Sequence, residues 1–155
     1  MTLSERDYTL IIDRSGSMAQ NAREVGLERV LEDAREVGAA ARLVLLEDLR
    51  DTLRADKSKG SAKPETILVI TDGEPDDRRA VIRTIIDASR RIDRDEELAL
   101  SIVQVGKDPD ARRFLKLLDD ELVSAGAPFD ICDTVTLDEA ESIGLTEVLL
   151  AAIHD

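Results

Sequence analysis

Cysteine and histidine are almost absent from this chain of 155 residues, which holds one of each, Cys132 and His154. A single cysteine excludes an intramolecular disulfide and favours an intracellular protein. Cys132 lies within Phe129–Asp133, a stretch typical of a strand, so we expect a buried structural thiol rather than a nucleophile. A Ser-His-Asp hydrolase is disfavoured, because His154 would have to reach a serine from the frayed end of the chain.

Aromatic residues and long apolar runs are also scarce. The chain has no tryptophan, one tyrosine and two phenylalanines, so the core must be aliphatic. No apolar run approaches the length of a membrane span, and the first residues contain no apolar stretch of a signal peptide. The formal net charge of −13 argues against nucleic acid or an anionic membrane surface as a partner. These observations predict a cytoplasmic protein.

One short apolar run, Tyr8–Ile12, predicts a buried strand and is followed at once by three oxygen-bearing residues, Asp13, Ser15 and Ser17. Their side chains can turn toward one point above the end of the strand. Carboxylate and hydroxyl oxygens are the ligands that suit a small hard cation such as Mg²⁺. The spacing therefore indicates a candidate metal site.

A second predicted strand, Thr66–Ile70, ends in a similar way, with Thr71, Asp72 and Gly73. In open parallel sheets, ligands bind just beyond the carboxyl ends of the strands. If the two strands are neighbours, Asp13 and Asp72 face each other across that crevice. Two close carboxylates repel each other, and a divalent cation would remove the repulsion.

The Asp-x-Ser-x-Ser set at positions 13–17 and the Thr-Asp-Gly set at 71–73 resemble the von Willebrand factor A domain, in its small stand-alone bacterial form. The resemblance continues through Val103–Gly106 and Phe114–Asp119, and covers residues 5–18 and 64–155. In that family these loops form a metal-ion-dependent adhesion site. A partner protein completes the metal coordination with an acidic group, and no reaction is catalysed.

The resemblance implies four metal ligands in this chain: Asp13, Ser15, Ser17 and Asp72. Asp72 would act directly or through water. Glu74 is close in sequence, although it could simply be solvated. The expected cofactor is Mg²⁺, or Mn²⁺ or Ca²⁺ in its place, and the expected partner is a protein ligand with an acidic group.

Strands that alternate with helices predict a single α/β domain over residues 1–155, with a parallel sheet and right-handed crossovers. The resemblance implies a three-layer α/β/α Rossmann-like fold with a shortened, mainly parallel sheet of about four strands in spatial sequence. The predicted strands cover residues 8–12, 66–70, 98–105 and 129–133. The predicted helices cover residues 75–91, 109–126 and 145–153, and the second of them begins with Asp108 as N-cap.

The segment 19–57 departs from the family. Its apolar residues recur at helical spacing, and its two glycines, Gly26 and Gly38, favour two helices or one bent helix. Residues 43–46 could form a short strand instead. The family's middle-loop threonine is missing, because Thr52 is the only threonine between positions 19 and 64 and is predicted to lie within a helix. A strand-containing block would then be replaced by helix, in nature or by construction.

Loss of that block would leave strand 8–12 at an edge of the sheet. An exposed edge invites pairing with a second copy, so a homodimer through residues 8–12 is one hypothesis.

Two other functions remain open. A truncated or engineered scaffold without a ligand is favoured by the atypical 19–57 segment. A Mg²⁺-dependent phosphohydrolase would use Asp13 as nucleophile. Such enzymes usually need a second acid two residues later and a lysine near the phosphate, but Ser15 stands at that position and Lys63 is the nearest plausible lysine.

Overall fold

The computed structural model describes residues 6–12, 42–45, 64–73, 75, 77–144, 147, 148 and 151. The described residues form an α/β fold of the Rossmann-like type. Its strands are β1 (Asp7–Ile12), β2 (Arg42–Leu45), β3 (Glu65–Thr71), β4 (Leu98–Gln104) and β5 (Cys132–Thr136). Its helices are α1 (Arg78–Ser89), α2 (Pro109–Asp120) and α3 (Leu137–Ile143), and a 3-10 turn, Asp95–Glu97, precedes β4.

The five strands form one parallel sheet in the order β2-β1-β3-β4-β5. The predicted spatial sequence of the four strands 8–12, 66–70, 98–105 and 129–133 is therefore confirmed. The chain adds β2 on one side of β1 and all later strands on the other side. The order thus reverses between β1 and β3, which is the switch point at which open α/β sheets bind their ligands.

The preferred prediction of helix throughout the segment 19–57 is wrong at β2, where the open alternative of a short strand holds. Thr9 to Ile12 of β1 lie in register with Arg42 to Leu45 of β2. An apolar run of this length fits a helix or a strand equally well by periodicity. Pairing with the backbone of β1 satisfies the hydrogen-bonding groups of both strands and decides between them. The rest of 19–57 lies outside the described residues.

Strand β1 is consequently not an edge strand. It pairs with β2 on one side and with β3 on the other. The structure does not support the predicted homodimer through residues 8–12, because the backbone groups of that strand are already paired within the chain.

Both connecting helices lie on one face of the sheet, as right-handed crossovers require. The apolar residues of α1 and α2 pack with alternate residues of β1, β3 and β4 in one core cluster. Its most buried members include Ile11, Ile67, Ile85, Leu100 and Leu118. The core is aliphatic apart from Phe114 and the adjoining Phe129, as the composition predicts.

The opposite face of the sheet is also covered. All seven residues of β4 are buried, so this strand is covered on both faces. Near the start of the sheet, Arg6 is only 3% exposed. Its Nε donates to Thr66 Oγ1 over 2.9 Å, and its terminal nitrogens donate to the carbonyls of Glu65 and Glu96. Burial lowers the pKa of Arg6, and nearby Tyr8 and Glu96 oppose that shift.

The start of α2 is confirmed, whereas α1, predicted over residues 75–91, covers only Arg78–Ser89. Asp108 caps α2 and Pro109 is its first residue, as predicted. However, α2 ends at Asp120, and the chain then turns until Gly126, whose φ of 111° favours glycine. Strand β5 begins at Cys132, three residues later than predicted, because the backbone of Phe129 is bound by Ser89 of α1 instead of by β4.

The C-terminal part also differs in extent. Residues 137–143, predicted only as a lead-in, form α3 with a capping box between Thr136 and Glu139. Of the predicted helix 145–153, only residues 147, 148 and 151 are described, all helical.

Candidate functional site

The carboxyl end of β3 brings polar groups to the switch point of the sheet. Strand β3 is almost wholly buried, and its last residue, Thr71, is held by a 2.8 Å hydrogen bond from the backbone of Val105 to the Thr71 carbonyl. Asp72 follows directly and is 7% exposed. The structure therefore places a buried acid directly after β3, at the switch point of the sheet.

The loop beyond Asp72 begins with a turn at Gly73. The Thr71 hydroxyl lies 3.4 Å from the Gly73 backbone nitrogen, so the turn closes on itself. A Cβ at Gly73 would meet no described atom within 4 Å, and the glycine does not adopt a positive φ. Neither crowding nor strain among the described residues therefore requires a glycine at this position.

A third polar residue, which the sequence analysis missed, lies at the same edge of the sheet. Gln104 ends β4 in register with Thr71 and is 3% exposed. Its side-chain nitrogen donates to the Asp108 carbonyl over 3.1 Å and so fixes the start of α2 beside the loop of Asp72. The sequence feature that could have revealed Gln104 is a polar side chain at the end of an otherwise apolar strand.

Of the predicted metal ligands, only Asp72 is described. Asp13, Ser15 and Ser17 lie outside the described residues, as does Glu74. The strands that lead to the two loops are nevertheless direct neighbours, with Ile12 of β1 in register with Ile70 of β3. Among the described residues, no group of three or more histidine, cysteine and acidic side chains is placed to hold a metal ion.

A second group of acids, unnoticed in the sequence, surrounds β5. Burial raises the pKa of Asp133 to about 6, and the nearby Asp119 adds to the shift. Burial also raises the pKa of Asp130, against a hydrogen bond from the Cys132 backbone. Ser101 of β4 lies in register with Asp133 of β5. Its buried hydroxyl has no hydrogen-bond partner among the described residues.

The strand order and the polar residues at the carboxyl ends of the strands define the class of this protein. It is a Rossmann-like α/β domain with polar loops at the switch point of its sheet. No protein-family model matches the chain, and no curated protein matches it either. Within the described parts of the chain, no helix is long and apolar enough to cross a membrane.

Proposed function

We propose that the chain is a non-enzymatic binding domain that resembles the von Willebrand factor A domain and binds a partner protein through a divalent cation. The cation would be held by Asp13, Ser15, Ser17 and Asp72 at the switch point of the sheet. An acidic group of the partner would complete its coordination. The cytoplasmic location predicted from cysteine usage belongs to the same proposal.

The adjacency of β1 and β3 carries this proposal. Because the two strands are parallel and in register, the chain leaves both of them at the same edge of the sheet. Asp13 directly follows the last residue of β1, and Asp72 follows the last residue of β3. The two motifs are separated by more than fifty residues in sequence, so the strand order supports their cooperation in one site.

The chemistry of the donor set fits a hard cation. Carboxylates and hydroxyls are the ligands that Mg²⁺ prefers, and water can replace the family's missing middle-loop threonine. When bound, the cation would supply a positive charge that attracts an acidic group. Asp72 is buried next to Gly73, where an added Cβ would meet no atom of the described residues within 4 Å.

A binding role is favoured over phosphoryl chemistry by the residues of the first loop. A nucleophilic aspartate of a phosphohydrolase usually needs a second acid two residues later, to act as general acid and base. This chain has Ser15 at that position. The carboxylate and hydroxyl oxygens of Asp13, Ser15 and Ser17 suit cation binding better than proton transfer.

The proposal predicts saturable Mg²⁺ binding that depends on both loops. Calorimetric titration of desalted, chelator-treated protein with Mg²⁺ and Mn²⁺ is expected to give saturable heat in the wild type. Asp13→Ala or Asp72→Asn removes a charged ligand, so the affinity is expected to fall at least about tenfold, or about 1.4 kcal/mol.

The matched control is Asp87→Asn, which makes the same change of charge at an exposed residue of α1. It should leave the affinity unchanged. Heat that survives Asp13→Ala would overturn the proposed ligand set. No heat in the wild type, with a cooperative melt that metal does not shift, would instead support the ligand-free scaffold.

A further inference from the structure

The surface of α1 is basic, although the chain as a whole is strongly acidic. Residues 78–94 contain six arginines and two aspartates, which gives this segment a net charge of +4 in a chain of −13. The arginines are Arg78, Arg79, Arg83, Arg90, Arg91 and Arg94, and all of them are exposed. A local reversal of charge of this kind attracts groups of the opposite sign.

Two of these arginines, Arg79 and Arg83, have no ionic partner among the described residues. Asp87 lies four residues after Arg83, but it pairs with Arg90 at 3.6 Å instead. The chain has 34 acidic residues, so a shortage of acids does not explain the lack of a partner. Both guanidinium groups are therefore open to a group from outside the chain.

The positions of Arg79 and Arg83 oppose the stability of α1. Arg79 is the second residue of the helix, whose first turn contains no acid. Cations are unfavourable at this end, because the helix dipole places positive charge there. The two arginines are also four residues apart, a spacing at which like charges repel each other. The stability of the helix therefore does not explain them.

These two arginines, called the arginine ridge below, border an open groove between α1 and α2. The groove has a volume of about 610 Å³ and is lined on the α1 side by Ile82. With about 3.6 residues per turn, Arg79 and Arg83 lie about 40° apart around the helix, and Ile82 lies about 60° from Arg79. The guanidinium carbon of Arg78 lies 5.5 Å from the centre of the Phe114 ring, which shows that this side of α1 faces α2.

The α2 side of the groove adds apolar surface and two more basic groups. Leu117 lines the groove and is 42% exposed, so a large apolar side chain lies open there. Arg113 and Lys116 also line the groove and pair with Asp110 and Asp120, respectively. Both pairs are exposed, and exposed ion pairs contribute little, so the carboxylates of a partner can replace these acids.

The charges of the groove are ordered along its length. Helices α1 and α2 both follow parallel strands of one sheet and run in the same direction. The arginine ridge and Arg113 lie in the first half of each helix. The acids that line the groove, Asp120 and Glu121, lie at the end of α2. The basic end of the groove is therefore the end nearer the carboxyl ends of the strands.

We propose that the groove between α1 and α2 is a docking site for an acidic segment of a partner protein. The arginine ridge and Arg113 bind carboxylates of that segment, and Ile82 and Leu117 receive an apolar side chain. Arginine suits this role because its planar guanidinium binds a carboxylate through two hydrogen bonds. The docking site goes beyond the proposed cation site and does not depend on it.

Charge and surface composition favour an acidic protein segment over a nucleic acid. Phosphates also bind arginine, but a long polyanion would extend beyond the groove onto the rest of a chain of −13. Single-stranded nucleic acids stack their bases on exposed aromatic rings. In this chain, Tyr8 and Phe114 are buried and Phe129 is partly buried. The groove offers aliphatic side chains instead, which suit the apolar side chains of a protein.

The test measures the binding of a labelled synthetic peptide of glutamates and two leucines, by fluorescence anisotropy at low salt. The wild type is expected to bind it saturably, and Arg79→Gln/Arg83→Gln is expected to bind about fivefold more weakly, because two exposed ion pairs are lost. A wild type that does not bind the peptide would overturn the proposal. A chelator is present throughout, so failure of the proposed cation site leaves this test unaffected.

The matched control for the ridge is Arg91→Gln/Arg94→Gln, which removes the same two charges from exposed positions beyond the end of α1. It should retain the wild-type affinity. Equal losses in the two double variants would contradict the docking site, because they would show a general attraction to the basic segment.

The apolar contact has a test of its own. Leu117→Gln should weaken binding of the peptide, but not of a version that has serines in place of the leucines. Ile143→Gln is the control, because Ile143 of α3 is 51% exposed and lies outside the groove. It should leave the binding of both peptides unchanged. Equal effects of Leu117→Gln on both peptides would refute the apolar contact and with it the proposed docking.

Three further outcomes would overturn the proposal. The midpoint of thermal unfolding of Arg79→Gln/Arg83→Gln should be unchanged or raised, since like charges leave the start of α1, and a lowered midpoint would show that the arginines support the helix. Displacement of the peptide by an oligouridylate of equal charge, at lower concentrations than by unlabelled peptide, would assign the groove to nucleic acid. A wild-type dimer that dissociates in the same double variant would assign it to a second copy of this chain.

Discussion

At the scale of single residues, Asp133 makes the stability of the fold depend on pH. Burial and the neighbouring Asp119 raise the pKa of this carboxyl from 3.8 to about 6. Between these values, the folded chain binds a proton that the unfolded chain does not. Ionisation of Asp133 therefore destabilises the fold: the loss begins as the pH rises above 3.8 and is complete above about 6.

We predict that Asp133→Asn stabilises the protein near neutral pH. The shift corresponds to about 3 kcal/mol, and solvent screening at this half-exposed group reduces the expected gain to about 1 kcal/mol. Urea unfolding should show this gain at pH 7.5 and almost none near pH 4. The control is Asp138→Asn, which replaces an exposed acid and should change the free energy of unfolding only slightly at both pH values. A gain that does not depend on pH would contradict the role of ionisation.

At the scale of helices and strands, local capping explains why the described helices begin where they do. Asp77 lies just before α1, in extended conformation, and its Oδ1 accepts a 2.9 Å hydrogen bond from the backbone nitrogen of Ala80. Asp108 does the same for the Asp110 nitrogen at the start of α2. Such caps satisfy backbone donors that the first helical turn leaves open. The start of α2 was predicted from the sequence, whereas α1 begins three residues later than predicted, after its cap Asp77.

We predict that Asp77→Ala lowers the free energy of unfolding by about 1 kcal/mol, the usual value of a lost N-cap. The control Asp87→Ala removes an acid from the same helix whose only described ion pair is an exposed one, to Arg90 at 3.6 Å. Its cost should stay below about 0.5 kcal/mol. Urea unfolding monitored by circular dichroism measures both. Equal losses would show that charge, and not the cap, supports α1.

Predictability from sequence also varied between elements. The strands β1, β3 and β4 could be predicted because their apolar runs end sharply at polar residues. Strand β2 was predicted only as an alternative to helix, since Arg42–Leu45 lies among residues at helical spacing and its strand conformation depends on pairing with β1. In the candidate site, Asp72 was predicted from its place after β3. The carboxylates around β5 were not, because they come from segments that only the fold brings together.

At the scale of the whole molecule, the excess of negative charge works against the compact state. The net charge of −13 is spread over 155 residues, and folding brings these charges closer together. The described ion pairs are mostly exposed, such as Arg113–Asp110 and Lys116–Asp120, and contribute little. Salt weakens both the general repulsion and these ion pairs. We expect its effect on the repulsion to dominate the stability of the fold.

We predict that a rise from about 10 mM to about 500 mM NaCl increases the midpoint of thermal unfolding by a few degrees, because salt shortens the range of the repulsion. Circular dichroism melts at pH 7.5 measure the shift. Choline chloride at the same ionic strength is the control for specific binding of sodium. A midpoint that falls with salt would show that the ion pairs dominate.

The lone thiol of the chain, Cys132, is a chemical probe of strand β5. Cys132 is fully buried at the start of β5, with its side chain in the core beneath α1 and α2. No thiol reagent can reach it until this corner of the sheet opens. Because Cys132 is the only cysteine of the chain, the rate at which a thiol reagent modifies the folded protein measures how often this residue becomes exposed, through local opening at β5 or through unfolding of the domain.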